Sequence, residues 1–232
     1  KIYALDVVDG SQNWQSVATV NAGAYDGVVF APDGDLIVGD FSKIVRINAD
    51  DGATVWSTTR LCSVSSSCGV ALSGSAVYAA EPVGGGHVIA RYDLATGVRQ
   101  YQSPLMTGFT LQNTPMVGPD GTVYLSRTQH NALTDFFYAF TDSGSALTTK
   151  WSLACGWSTF SEFAGGPDGS IYMIGTDYQI KRLDPATGAI LNTSSGATGG
   201  SYAPRMAVDA AGRVFYANGV FPTSTIYSYN AD

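Results

Sequence analysis

Few groups in this 232-residue chain could move a proton or hold a metal: two histidines, three cysteines and 19 carboxylates. Nucleophilic catalysis needs a base beside the serine or cysteine that attacks. His87 follows Gly84-Gly85-Gly86 and His130 stands in a polar stretch, so both are read as loop residues rather than bases. No GxSxG, HExxH or phosphate-cradling loop occurs, and no catalytic residue is assigned. Two histidines without zinc-site spacing give no metal site. The oxygen-rich run Asp33–Asp35 could offer calcium ligands, but a Pro-Asp-Gly turn accounts for it.

The cysteines carry a different chemistry. Cys62 and Cys68 bracket the serine-rich stretch LCSVSSSC, a loop supple enough to let two thiols meet. A disulfide is expected there, and with it an extracytoplasmic location, since disulfides persist in oxidising compartments. Cys155 is read as a small core hydrophobe.

These residues must be positioned by short strands, because the chain repeats itself. KIVRINADDGATVW (43–56) is an alternating strand, an Asp-Gly turn and a second strand ending in tryptophan. Related units begin at Lys1, Val88, Phe136, Gln179 and, shortened, Thr225, at intervals of 42–48 residues. A second motif, a turn followed by an apolar strand, interleaves with the first: APDGDLIVGD (31–40), GPDGTVYLS (118–126), GPDGSIYMIG (166–175) and DAAGRVFYAN (209–218). Proline presets the first turn position, and Asp-Gly tolerates the remaining geometry. No segment of ten residues shows a 3.6-residue period, so no helix is expected.

Each repeat thus holds four strands, here called A to D, and four short strands at this period predict an all-β propeller blade. Residues 1–232 are read as one propeller domain. Complete four-stranded antiparallel blades are placed at about 26–59, 68–103, 114–154 and 162–194, with partial blades at 1–17 and 203–230. Strands A and B are expected to be buried on both faces and strand C to alternate, with Ile2, Ala4, Leu5, Ile44 and Ile47 inward. About five blades' worth of repeat fits either a five-bladed ring or an arc of a larger propeller. The mid-blade start, and Lys1 in place of Met, are read as a mature form or a piece of a longer chain.

Loop length divides the two faces. The A–B and C–D turns are short and share one face, whereas the D–A and B–C connections, including Glu81–His87, Arg127–Asp135 and Asn218–Ser224, are read as longer and share the other. Eight residues before each A–B glycine, on the long-loop side of the channel, stand Asp26 and Asn113, with Tyr25, Gln112, Trp157, Glu162, Tyr202 and Arg205 nearby. Aromatic, amide and carboxylate groups converging from separate blades are the candidate ligand-binding set. The aromatics that recur on strand D, Trp14, Trp56, Tyr101 and Trp151, are read as wedges between blades, not as a ligand cage.

The C–turn–D unit resembles the quinoprotein-type, PQQ-like repeat of β-propellers. The resemblance rests on Leu5-Asp6…Gly10…Trp14, Ile47-Asn48…Gly52…Trp56, Tyr92-Asp93…Thr96-Gly97…Tyr101, Phe140…Gly144…Trp151, and Leu183-Asp184…Thr187-Gly188…Asn192, where the aromatic is lost. It implies quinone-dependent dehydrogenases, often with two adjacent cysteines on the quinone, or non-enzymatic assembly and sensor modules of the bacterial envelope. No Cys-Cys pair occurs here, nor a recognisable Asp–Glu–Asn set for calcium. The non-enzymatic branch is therefore expected, with neither PQQ nor calcium as cofactor.

A net charge of −7 and a pI near 4.6 exclude a nucleic-acid partner. No run of 18 apolar residues predicts a membrane-spanning helix. The expected function is a non-catalytic extracellular or periplasmic propeller that binds a protein or carbohydrate through its long-loop face. The alternatives are a propeller enzyme, lactonase-like hydrolase or quinone-dependent oxidoreductase, and a structural module of a larger secreted polypeptide.

Overall fold

A computed structural model of the chain describes residues 1–21, 27–62, 68–107, 111–112, 114–128, 135–155, 163–197, 205–218 and 225–230. Among these residues every regular element is a strand, and the strands form six antiparallel sheets. Sheet 1 pairs β1 (Tyr3–Leu5) with β2 (Gln12–Gln15). Sheet 2 runs β3 (Val29–Phe30), β4 (Leu36–Gly39), β5 (Lys43–Ile47), β6 (Thr54–Thr59) in order. Sheet 3 holds β7 (Val70–Ser73), β8 (Ala76–Val83), β9 (Gly86–Asp93), β10 (Arg99–Gln102) and β11 (Met106–Thr107), the last two both on β9. In sheet 4, β12 (Leu111–Gln112) and β13 (Met116–Val117) share β14 (Val123–Thr128), followed by β15 (Asp135–Asp142) and β16 (Leu147–Cys155). Sheet 5 is β17 (Phe163–Gly165), β18 (Ile171–Ile174), β19 (Gln179–Leu183), β20 (Ile190–Ala197), and sheet 6 is β21 (Arg205–Val208), β22 (Val214–Ala217), β23 (Ile226–Tyr229).

The sheets stack like blades. Five apolar clusters lie one between each consecutive pair of sheets. Ile37 and Ile44 of sheet 2 meet Val77 and Tyr92 of sheet 3, while Leu36, Val38, Val45 and Ile47 turn the other way, onto Ile2 and Trp14. A strand sandwiched between two sheets needs apolar residues on both faces, which is why strand B reads as an unbroken run. All four residues of β4 and of β18 are buried. The A strands form the inner contacts from sheet to sheet, β7 against β3 and β13, and β17 against β21.

Three expectations need correction. Strand A is only partly buried in sheets 2, 4, 5 and 6, with Phe30 68% exposed, whereas in sheet 3 Val70 and Ala71 are buried where β7 packs against β3 and β13. Strand C of sheet 2 does not alternate, since Ile44, Val45 and Ile47 are all fully buried between flanking sheets. Leu5 is 60% exposed rather than inward.

Candidate functional site

The strand D aromatics are defined by register. Opposite Ala4, Arg46, Arg91, Ala139 and Arg182 of strand C stand Trp14, Trp56, Tyr101, Trp151 and Asn192 of strand D. Each tryptophan crosses to the C–D turn of the following sheet. Trp14 Nε1 donates to the Ala49 carbonyl at 2.7 Å, Trp56 Nε1 to that of Leu94 at 2.9 Å, and Trp151 Nε1 to that of Pro185 at 3.1 Å. The ring then lies flat on the turn glycine. A Cβ on Gly97 would stand 2.6 Å from the Trp56 ring, and the turn also needs φ = +71° there, so the position excludes any side chain.

Between sheets 3 and 4 the same place is polar. The Tyr101 hydroxyl donates to Asp142 Oδ1 at 2.6 Å, and Tyr78 donates to Oδ2 at 2.5 Å. Arg91 Nε donates to Oδ2 at 3.0 Å, with its guanidinium 5.3 Å from the centre of the Tyr101 ring. Burial alone would raise the Asp142 pKa. Hydrogen bonds from Tyr101, Tyr78 and the Gly144 N–H, with the charge of Arg91, outweigh it and hold the carboxyl below the usual range. Burial, then the hydrogen bond to Asp142, pushes Tyr101 up to about 12.

The Pro-Asp-Gly turns are closed in the same local manner. Asp33, Asp120 and Asp168 each accept the N–H two residues on, and each also pairs with a base, Arg46, Lys150 and Arg182 respectively. These carboxylates are engaged by their own turns and by basic residues of the same sheet.

The opposite face shows a pattern not read from the sequence. Its B–C connections are short among the described residues: Asp40–Ser42, Gly84–Gly85 and Gly175–Tyr178. Asp40 closes the first, accepting the Ser42 and Lys43 N–H groups on Oδ1 and the Asn21 N–H on Oδ2. Burial opposes ionisation of Asp40, but these donors win and lower its pKa. Glu81–His87, expected as a long loop, is instead the tip of the β8–β9 ladder, paired from Glu81↔Val88 to Val83↔Gly86. The two remaining B–C connections, expected to be long at Arg127–Asp135 and Asn218–Ser224, lie largely outside the described residues.

The D–A connections are anchored by buried charge between sheets 2 and 3. Arg60, 4% exposed, donates through Nε to the Asp40 carbonyl at 3.2 Å and through Nη2 to that of Cys68 at 2.6 Å. Cys62 and Cys68 are joined in a disulfide, and Cys155 lies buried outside it. Glu81 accepts the Tyr92 hydroxyl and, at 3.3 Å, Arg99 Nη2. Burial and the Glu81 hydrogen bond both raise the Tyr92 pKa. A further device recurs two residues beyond the strand D position. Ser16, Ser103 and Ser194 each accept a strand C N–H, from Ile2, Ile89 and Ile180, at 3.0 Å. Their fixed offset made them discoverable by repeat alignment. Asp142 and Arg60 carry no such signal, because their partners come from other parts of the chain.

Of the candidate channel-mouth set, Tyr25, Asp26, Asn113, Trp157, Glu162 and Tyr202 lie outside the described residues. Gln112 sits in β12, paired with Arg127 of β14, and Arg205 opens β21, exposed and paired with Ala217. Both stand at the D–A end of their sheets.

A family model described as outer membrane protein assembly factor BamB matches residues 1–149. The chain belongs to this family of PQQ-like propellers. Solved structures agree on the fold. The quinohemoprotein alcohol dehydrogenase ADHIIG from Pseudomonas putida HK5 is 14% identical with a TM-score of 0.65, covering 89% of this chain and 40% of its own. A protein from Lactobacillus plantarum is 14% identical, TM-score 0.65, covering 98% and 73%. The Dos1 propeller is 10% identical, TM-score 0.65, covering 97% and 61%. Such identities establish the propeller alone. This PQQ-like chain spans less than half the length of the dehydrogenase. No curated protein matches it.

Proposed function

We propose that this chain is a non-catalytic, extracytoplasmic PQQ-like propeller that binds a protein partner through the face where the D–A connections gather. The match of residues 1–149 to a family described as an assembly factor carries the reading. The disulfide supports an oxidising compartment. The geometry supports the choice of face. The tight-turn carboxylates Asp33, Asp120 and Asp168 are engaged within their own sheets, whereas Asp40 and Arg60 brace the start of D–A connections on the other side.

No quinone or calcium belongs to this reading; the cysteines at 62, 68 and 155 form no adjacent pair to stack on a quinone.

Photo-crosslinking residues placed at Gln112 and Arg205, and in parallel at Asp33 and Asp168, would test the face in cells. Discrete protein adducts at the first pair alone are expected. Adducts at the tight-turn pair alone, or stoichiometric quinone with calcium in the purified protein, would overturn the reading.

A further inference from the structure

The fifth strand D position is filled differently from the other four. Asn192 stands opposite Arg182 in the register that places Trp56 opposite Arg46 and Tyr101 opposite Arg91. Its side chain turns back, with Oδ1 accepting the Thr193 N–H at 2.7 Å. The space an aromatic ring holds at the sister junctions is here a cavity of about 360 Å3 between sheets 5 and 6. That is at the small end of the range of about 300–1,000 Å3 usual for ligand sites. Its floor is Tyr172 and Val214, both buried, and Tyr229 forms a wall.

The lining matches what the sister sites use to hold a ring. Arg182 borders the cavity, fixed through Nη2 to Asp168 at 2.6 Å and Nε to Ser170 Oγ at 3.0 Å. At the equivalent register, Arg91 lies over the ring of Tyr101. A guanidinium immobilised by a carboxylate keeps its face available for such stacking. Apolar floor, aromatic wall and a fixed cationic plane together select a planar aromatic ring. Hydroxyl and amide groups at the rim suit a polar ring edge.

We propose that this cavity binds one planar aromatic ring of indole size, taking the place that tryptophan occupies between the other sheets. The site is independent of the face assigned to a protein partner. Its lining belongs to strands B to D of sheets 5 and 6, and includes neither Gln112 nor Arg205. The ring could arrive as a free small molecule or on a peptide, and the two sources are separable.

The test is titration of the purified protein with indole and, separately, with N-acetyl-tryptophanamide, read by calorimetry and by nuclear Overhauser contacts to the Tyr172 and Tyr229 rings. Saturable indole binding with those contacts is expected. Asn192→Trp should fill the cavity from within, weakening indole binding at least about tenfold while raising Tm. Ser228→Trp fills it from the opposing strand and should weaken binding similarly, which guards against one variant failing to fold. Indole-only binding assigns a small-molecule site. Comparable binding of the tryptophanamide assigns a peptide-borne ring. Absence of saturable indole binding, absence of contacts to both tyrosines, or unchanged affinity in either folded variant would overturn the proposal.

Discussion

The Trp56 indole donates its N–H to the Leu94 carbonyl at 2.9 Å, across a sequence separation of 38 residues and from one sheet into the next. Arg46 Nη1 reaches the same carbonyl at 3.0 Å, so one turn acceptor ties strands C and D of sheet 2 to sheet 3. This contact recurs with Trp14 and Trp151. The stack is therefore held by a repeated contact between neighbours, as expected where each repeat touches only the next.

Removing the ring should be costly. Trp56→Ala leaves a void against Ile37, Ile44 and Tyr92 and is expected to lower stability by about 3–5 kcal/mol. Gly97→Ala should destabilise through the same contact, since its Cβ would meet the ring and φ is positive. Urea melts of both variants check this. A Gly97→Ala protein as stable as the parent would refute the docking argument.

Asp142 predicts the acid limb of stability. Its folded pKa is lowered, so its contribution is present above the unfolded value near 4 and is lost as pH falls through the folded value. Asp142→Asn should flatten that limb in denaturation midpoints measured from pH 2 to 6. Midpoints that fall with acid as steeply as the parent's would count against it.

The tyrosines predict the alkaline limb with the opposite sign. Tyr101 is raised to about 12, so its contribution is complete below the unfolded value near 10 and is lost as pH rises toward 12. Phenolate absorbance should show Tyr101 ionising late, with Tyr78, Tyr92 and Tyr124, which burial also raises, and Tyr101→Phe should lower the amplitude of that late phase by one tyrosine.

The Cys62–Cys68 bridge closes a short loop, with a sequence separation of 6. It should stabilise by less than the about 3 kcal/mol of a 15-residue loop. Reduction is expected to lower Tm modestly without unfolding the protein. Thiol titration of the denatured, unreduced chain should find one group, Cys155; three groups would contradict the bridge.

Arg205 separates binding from stability. Exposed at the D–A end of β21, it should tolerate Arg205→Ala with little change in Tm while partner capture weakens. Trp56→Ala should do the reverse. Capture unaffected by Arg205→Ala would move the partner elsewhere.

The sequence alone determined whatever is local and repeated. Strands A to D, the Pro-Asp-Gly and Asp-Gly turns, the cysteine loop and the strand D aromatics all follow from patterns within a few residues, where turn geometry and alternation act directly. It also supported the PQQ-like family, because a turn glycine lies four residues before Trp14, Trp56 and Tyr101, and seven before Trp151. Only the tertiary structure decided what those groups touch. Trp56 meets Leu94, Tyr78 meets Asp142 64 residues on, and Arg60 spans Asp40 and Cys68, because acceptors are supplied by whichever sheet packs alongside. The same packing turned Glu81–His87 into paired strand, since Gly84 and Gly85 let β8 and β9 extend to a tight turn. Asn192 shows the division most clearly. The sequence records a missing aromatic, but the cavity beside Arg182 is formed by residues that sheets 5 and 6 contribute jointly when they pack.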